Sequence, residues 1–263
     1  HPLGREVLGV PEVIKGVGVE SIRSFFERHY RPANMVVAAA GDLDHDAVAA
    51  GIEARFAGRA GGAPPERTAP GETAATRLVE HQETEQANLV YGVRAPRRSA
   101  PERFALAALN HVLGGGLSSR LFQEVREERG LAYSIGSDRV AYDDAGMLAV
   151  SVGTSPDHAR EVLELIEQQF DVMAAGGVTP RELEVAKGHL RADLLLSLED
   201  SGARMSRIGA SLLLHGTVLT IDELLGRIDA VSLDAVGEAA AAVLASPRVL
   251  AVVGPFAPDD FPG

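Results

Sequence analysis

Residues 114–134, GGGLSSRLFQEVREERGLAYS, carry more structural information than any other stretch of this 263-residue chain. Three glycines at 114–116 break a preceding helix. The segment 118–129 then has apolar residues at helical spacing, Gly130 favours the end of that helix, and a strand begins after it. The stretch therefore predicts a helix, a turn and a strand. We expect a flexible loop at 114–116, because three glycines without a complete phosphate-binding motif are weak support for an anion site.

Two polar side chains of this stretch are candidate functional residues. On the predicted helix, Leu121, Phe122 and Val125 form the apolar face, and Arg126 lies at its edge, where it can border a cleft. Tyr133 begins the strand, where its ring can pack while its hydroxyl reaches a polar partner. The simpler alternative is that Arg126 forms an ion pair on the helix and that Tyr133 belongs to the core.

Outside this stretch, hydrophobic periodicity predicts strands in pairs and helices in runs. The predicted strands are 77–81, 87–93, 132–140, 146–153 and 250–253. The predicted helices are 19–30, 45–57, 99–113, 118–129, 156–174, 180–199, 201–214, 221–228 and 233–244. The helix from Pro180 has the clearest start, because Thr179 and Glu182 form a capping box around that proline. This order of elements indicates an α+β fold with a mixed antiparallel sheet and packed helices.

A helix, a proline-containing turn and an apolar strand that ends in glycine occur twice, at 19–41 and at 231–254. The similar length and the shared proline and glycine positions suggest a duplicated domain, in which 35–40 is the strand of the first copy. The alternative is that any helix–turn–strand pair has this pattern. Under the duplication, most of the first copy is expected to lie upstream of His1, which is itself not a methionine.

This interpretation divides the chain into three parts. Residues 1–59 are expected to be the C-terminal remnant of a first domain, and 77–263 a complete second domain. Residues 60–76 are rich in Gly, Pro, Ala and Thr, which is typical of an interdomain linker. Residues 1–60 are also expected to expose apolar surface, and therefore to be mobile or prone to aggregation.

Composition narrows the class of protein. With 46% hydrophobic and 24% charged residues, the chain is typical of a globular protein. The net charge of −12 disfavours a nucleic-acid partner, and no apolar run approaches the ~20 residues of a membrane span. The absence of cysteine excludes disulfides, thiolate metal sites and a cysteine nucleophile, and it fits an expected cytoplasmic location.

Common catalytic motifs are absent from the sequence. No two of the eight histidines lie within four residues of each other, and neither H-E-x-x-H nor H-x-x-E-H occurs. There is also no G-x-S-x-G nucleophile turn and no phosphate-binding loop of the G-x-x-x-x-G-K-[ST] type. No metal ligands and no cofactor are therefore expected within this chain.

Four motifs, in the same order along the chain, resemble the pitrilysin/insulinase family of zinc peptidases, in particular its bacterial processing-peptidase-like branch. They are HPLG with Leu8-Gly9, the block containing HYRPANMVVAAAG at 26–41, Gln86-Ala87-Asn88, and the stretch 114–134. The last of these is the most specific match. The resemblance implies a metallopeptidase-like α+β domain, preceded by the tail of a similar domain.

The same resemblance implies where the chemistry lies. In the family, an H-x-x-E-H helix and a downstream glutamate hold zinc, and all of them precede the counterpart of His1, so zinc is expected only in a longer parent protein. Arg126 and Tyr133 match in type and spacing an arginine and a tyrosine that approach the substrate and the transition state. In that mechanism zinc and a glutamate activate water, and the tyrosine hydroxyl stabilises the oxyanion.

The implied function is the C-terminal portion of a zinc-dependent metalloendopeptidase that hydrolyses peptides. The alternative is a non-catalytic partner subunit or scaffold of a processing-peptidase-like complex. The implied partners are a peptide or unfolded polypeptide, together with the missing N-terminal domain or a homologous subunit in a homo- or heterodimer. The chain alone is expected to be inactive.

Overall fold

The structure is a computed structural model that describes residues 1–59, 61–63 and 66–261. The chain divides into two units, each built from two stretches. The first unit comprises His1–Pro70 and Leu195–Leu219, and the second comprises Gly71–Leu194 and Thr220–Gly263.

Most elements lie where the periodicity predicts them. The helices are α1 (Pro11–Gly16), α2 (Val19–His29), α3 (His45–Phe56), α4 (Arg103–Leu113), α5 (Ala159–Gly176), α6 (Pro180–Ser197), α7 (Ser201–His215), α8 (Ile221–Asp229) and α9 (Leu233–Leu244). The strands are β1 (Thr76–His81), β2 (Ala87–Ala95), β3 (Ala132–Ala141), β4 (Gly146–Thr154) and β5 (Arg248–Gly254). Five of the six predicted strands are present, with bounds within two residues of the prediction.

The five strands form one sheet in the second unit, in the order β1-β5-β2-β4-β3. Only β1 and β5 pair in parallel, and the other neighbours are antiparallel. Helices α4, α5 and α9 pack on one face, where side chains such as Tyr91 and Phe170 are fully buried. The opposite face is open, and Asn88, Val90 and Ser151 are exposed there. This architecture confirms the predicted α+β fold.

The predicted strand at 35–40 is wrong. Its side chains alternate between exposed and partly buried, as in an extended chain, but it forms no strand in the structure. A strand needs a neighbour to accept its backbone hydrogen bonds, and all strands found in the described part of the chain belong to the second unit. The matching segment of the proposed repeat, β5, lies between two partners and is a regular strand.

The first unit has no core of its own among its described residues, because none of them is buried. Val7 is 96% exposed and Leu8 is 84% exposed, and Phe25 on α2 is 58% exposed. The apolar surface expected for residues 1–60 is therefore present. The predicted linker 60–76 includes three positions, 60, 64 and 65, that lie outside the described residues, and the domain boundaries stay a prediction.

The exposure of the first unit leads to a test by hydrogen exchange. We expect the backbone amides of α2 and α3 to exchange at least about tenfold faster than those of α5, because helices without buried contacts open locally at low free-energy cost. Helix α5 has seven buried residues, whereas α2 and α3 have none. Exchange measured by mass spectrometry on the full chain checks this, and equal protection of α2 and α5 would contradict it.

Candidate functional site

The helix predicted at 118–129 is mostly a π-helix, which spans Phe122–Glu128. Its wider turn is seen where the Arg129 N–H donates to the Glu124 carbonyl, five residues back, at 3.2 Å. Leu121 and Val125 are fully buried, as the predicted apolar face requires. A π-helical turn is uncommon and is often found at functional sites, so this segment is the first structural indication of a site.

The strand that follows contains a bulge at Tyr133. Ala132 pairs with Thr154 and Ser134 pairs with Gly153, which leaves Tyr133 as the extra residue. Such a bulge changes the direction of the side chains around it. Ala132 and Ile135 are both buried, whereas the Tyr133 residue is 80% exposed, so the alternative of a core tyrosine is wrong.

The π-helix and the bulge bring Arg126 and Tyr133 together. The Arg126 guanidinium carbon lies 4.7 Å from the centre of the Phe122 ring and 5.9 Å from that of the Tyr133 ring. These distances allow cation–π attraction. The nearest carboxylate oxygen, on Glu127, is 3.9 Å from Arg126 Nε and therefore outside hydrogen-bond range. Across the described residues, neither the guanidinium nor the Tyr133 hydroxyl has a hydrogen-bond partner in the chain.

Both side chains line one cavity of about 590 Å³ on the open face of the sheet. The polar residues Asn88, Asp138 and Ser151, on three neighbouring strands, also line it. The site thus combines an aromatic wall, a guanidinium, a phenol and strand-borne polar groups. This arrangement suits an extended chain with backbone carbonyl groups better than it suits a compact apolar ligand.

A salt bridge that sequence reasoning missed supports the start of the π-helix. Arg120 contacts Glu182 with two hydrogen bonds, Nε to Oε1 at 2.6 Å and Nη2 to Oε2 at 2.9 Å. Glu182 also accepts from the backbone N–H of Thr179 at 2.7 Å, which forms the predicted capping box of α6. The hydrogen bonds from Arg120 are the main reason that the pKa of Glu182 falls to about 2, and burial opposes them.

The glycine loop at 114–116 is tightly packed against its surroundings. A Cβ atom on Gly114 would lie 2.7 Å from the backbone nitrogen of Ser137, and one on Gly116 would lie 2.7 Å from the His111 ring. The His111 ring stacks on His189 with centroids 4.2 Å apart. Burial, and then the proximity of His189, lower the pKa of His111. These close approaches explain why glycine occupies positions 114 and 116 without any need for loop flexibility.

The residues do not fit a zinc site. Over 1–59, 61–63 and 66–261, no group of three His, Cys, Asp or Glu side chains is placed to hold a metal ion. The candidate site therefore consists of Arg126, Tyr133 and the cavity that they share.

No described helix is both long enough and apolar enough to cross a membrane.

Comparison with known proteins finds a matching family model and several relatives. The family model described as the peptidase M16 inactive domain matches residues 16–190. An uncharacterized zinc protease of Streptomyces coelicolor is 38% identical over 264 residues, which cover 97% of this chain and 58% of that protein. An uncharacterized zinc protease of Mycobacterium leprae is 39% identical over 262 residues, which cover 98% of this chain and 59% of that protein. The chain thus spans about three fifths of the length of these relatives.

A solved structure shows the same fold. The crystal structure of a peptidase M16 inactive domain from Pseudomonas fluorescens superposes with a TM-score of 0.83. The two chains are 22% identical, and the match covers 98% of this chain and 62% of that one. At this identity the similarity establishes the fold alone.

Proposed function

The chain belongs to the peptidase M16 inactive-domain family, and from that premise we propose that it is the C-terminal portion of a zinc-dependent metalloendopeptidase, to which it supplies substrate-binding and transition-state residues. One observation carries the proposal: Arg126 and Tyr133 line one cavity, and neither the guanidinium nor the phenol hydroxyl has a hydrogen-bond partner in the described chain. Donors without a hydrogen-bond partner beside a cleft are typical of a site that binds a ligand.

The geometry suggests a role for each side chain. The Tyr133 hydroxyl donates a hydrogen bond to the oxyanion that develops on the scissile carbonyl, and this bond is strongest in the transition state. The Arg126 guanidinium holds a neighbouring carbonyl or carboxylate of the peptide and supports the Tyr133 ring through their cation–π contact. The proposal gives neither side chain the role of a zinc ligand and assigns zinc to residues upstream of His1.

The organisation of the parent protein is part of the proposal. Residues 1–59 are the remnant of a catalytic-type domain, 60–76 the linker and 77–263 the substrate-binding domain, with the zinc ligands upstream of His1. The lack of buried residues over 1–59 and the share of the relatives' length that this chain spans support this organisation. The partners are a peptide or unfolded polypeptide and the missing domain or a homologous subunit, in a homo- or heterodimer. We place the protein in the cytoplasm.

A second candidate function is a non-catalytic partner subunit or scaffold of a processing-peptidase-like complex. The observation that favours it is the family description itself, which is that of an inactive domain. A scaffold needs the fold and its interfaces but gains nothing from a tyrosine hydroxyl without a hydrogen-bond partner on a residue that lines a cavity. The two functions therefore differ in how they respond to changes at Arg126 and Tyr133.

Zinc content and peptide cleavage of the full-length protein test the proposed function. We expect zinc at about one equivalent and hydrolysis of unfolded peptides. Chain 1–263 alone is expected to bind no zinc and to cleave nothing, because no three His, Cys, Asp or Glu side chains of its described residues are placed to hold a metal ion. A full-length protein without zinc or cleavage would support the scaffold instead.

Arg126 gives a test of the substrate contact. In the full-length protein, Arg126→Gln is expected to lower kcat/KM for peptides by about 10–100-fold, since a hydrogen bond from a charged group contributes about 1.5–3 kcal/mol. The matched control is Arg129→Gln, which removes the same charge three residues away, where Arg129 instead pairs with Glu124 and Glu161. Equal losses in the two variants would exclude a substrate contact for Arg126.

A further inference from the structure

Two histidines from different helices stack on each other beside the glycine loop at 114–116. His111 on α4 is 6% exposed, and its ring lies nearly parallel to that of His189 on α6, with the planes inclined by 21° and the centroids 4.2 Å apart. Both residues line a cavity of about 790 Å³, together with the glycine loop. Imidazole rings at this distance are in van der Waals contact, so a charge on either ring acts directly on the other.

The glycine loop closes over His111. The N–H groups of Gly114 and Gly115 both donate to the Asn110 carbonyl, at 3.1 and 2.9 Å. A Cβ atom on Gly115 would lie 2.9 Å from His111 Cα, and one on Gly116 would lie 2.7 Å from His111 Cε1. Because the loop and the ring are packed this closely, the ring cannot change its position unless the loop moves with it.

The charged side chains that act on His111 are His189 and Asp193, both on α6. Asp193 Oδ2 lies 3.6 Å from His189 Nε2, so this carboxylate favours a proton on His189. The remaining residues that line the cavity, from the glycine loop, the π-helix, β3 and α6, are uncharged. Two basic side chains of α6 near the stack bond to Asp229 instead, namely Lys187 and Arg191.

Proton uptake by the buried ring is coupled to the closure of the loop. Burial, and then the charge of His189, lower the pKa of His111 below its ordinary value of 6.5. Asp193 and a hydrogen bond with the Gly115 backbone oppose these effects. An open loop would return the His111 ring to water and to its ordinary pKa. The closed loop is therefore fully stabilised above pH 6.5, and this stabilisation is lost as the pH falls below 6.5.

We propose that the stack of His111 and His189 is a pH-sensitive switch, which holds the glycine loop closed at neutral pH and releases it in acid. The first proton goes to His189, whose side chain is 44% exposed and close to Asp193. A second proton on His111 places two cations in contact, one of them buried, and like charges at this distance repel each other. The stack then separates, and the loop moves with the His111 ring.

The switch reaches the cavity of Arg126 and Tyr133 by two connections. The Gly116 carbonyl accepts from the Ser119 N–H at 3.0 Å, which joins the glycine loop to the turn that leads into the π-helix. Phe122 lines both cavities, and its ring holds the Arg126 guanidinium at 4.7 Å. Release of the loop is therefore expected to change the position of Arg126. The switch is a property of this chain, and it does not rest on the proposed function.

NMR spectroscopy of chain 1–263 between about pH 8 and about pH 5 tests the switch. We expect the Cε1 proton of His111 to titrate below pH 6.5, and the amide signals of the glycine loop to shift with the same midpoint. The hydrogen-exchange protection factors of the Gly114 and Gly115 amides are expected to fall at least about tenfold between neutral and acid pH, while those of α5 stay unchanged.

Two results of this titration would overturn the proposal. One is a His111 ring that stays neutral down to about pH 5, because no switch then operates in this range. The other is a His111 ring that titrates while the signals and the protection of the glycine loop stay constant. The loop would then be independent of the charge on the stack.

Substitutions at the two histidines assign the transition. His111→Gln is expected to abolish the pH dependence of the glycine loop. His189→Gln removes the neighbouring charge and is expected to move the midpoint of His111 to higher pH. The matched control is His158→Gln, an exposed histidine outside the cavity, which is expected to leave the midpoint and the protection of the loop unchanged.

The variants also give outcomes that contradict the switch. A loop transition that persists in His111→Gln would mean that another group drives it. Because the His189 side chain is partly exposed, His189→Gln provides the test even if His111→Gln does not fold. An unchanged His111 midpoint in His189→Gln would show that the two rings do not interact, and the proposal would fail.

Discussion

Replacing Tyr133 by phenylalanine in the full-length protein is expected to lower kcat for peptide hydrolysis by about 10²–10³-fold, the usual loss when one oxyanion donor is removed. The substitution deletes only the hydroxyl, which has no partner in the described chain and lies on a residue that is 80% exposed. It therefore leaves the aromatic contact with Arg126 and the bulge in β3 in place. Steady-state kinetics with an unfolded peptide measures the effect.

The split between kcat and KM separates a transition-state role from a binding role. A donor that acts mainly in the transition state lowers kcat and leaves KM nearly unchanged. Tyr142→Phe is the matched control, because Tyr142 follows the same strand, is 42% exposed and lies outside the cavity. If both variants retain wild-type kcat, Tyr133 is not an oxyanion donor, and the scaffold function gains support.

Local patterns were sufficient to predict most of the fold. The five strands and the order of helices follow from apolar periodicity, and Gly130, with φ of 63°, ends its helix as expected. Two local features were beyond such patterns. The π-helix at Phe122–Glu128 and the bulge at Tyr133 depend on how buried residues pack and on the register between β3 and β4. Neither leaves a periodic signal in the sequence.

The candidate site likewise has features that local sequence patterns predict and features that they do not. Arg126 and Tyr133 are seven residues apart, so their spacing could be matched to a motif. The contact between Arg120 and Glu182 joins residues 62 positions apart, and only the fold brings them together. The predicted strand at 35–40 was wrong for a related reason, since its pattern is that of a strand but no neighbour pairs with it.

Removing the contact between Arg120 and Glu182 is the second change for which we expect a large effect. Arg120→Met keeps most of the side-chain volume and removes two charge-assisted hydrogen bonds between side chains that are only 19% and 27% exposed. We expect the free energy of unfolding at neutral pH to fall by about 1.5–3 kcal/mol. Arg191→Met, on α6 with Glu182, is the control, because the side chains of Arg191 and Asp229 are 44% and 49% exposed and their pair is expected to contribute less than about 1 kcal/mol.

The pH dependence identifies the cause of that loss. The pKa of Glu182 is lowered to about 2 in the folded chain, below its ordinary value of 4.5. The ion pair therefore stabilises the folded state fully above pH 4.5, and this stabilisation is lost as the pH falls from 4.5 towards 2. Urea unfolding of the wild-type chain and of Arg120→Met is accordingly expected to differ most at neutral pH and to converge in acid. If the difference in free energy of unfolding between the two chains stayed constant down to about pH 2, the lost stability would come from packing, and Glu182 would have no part in it.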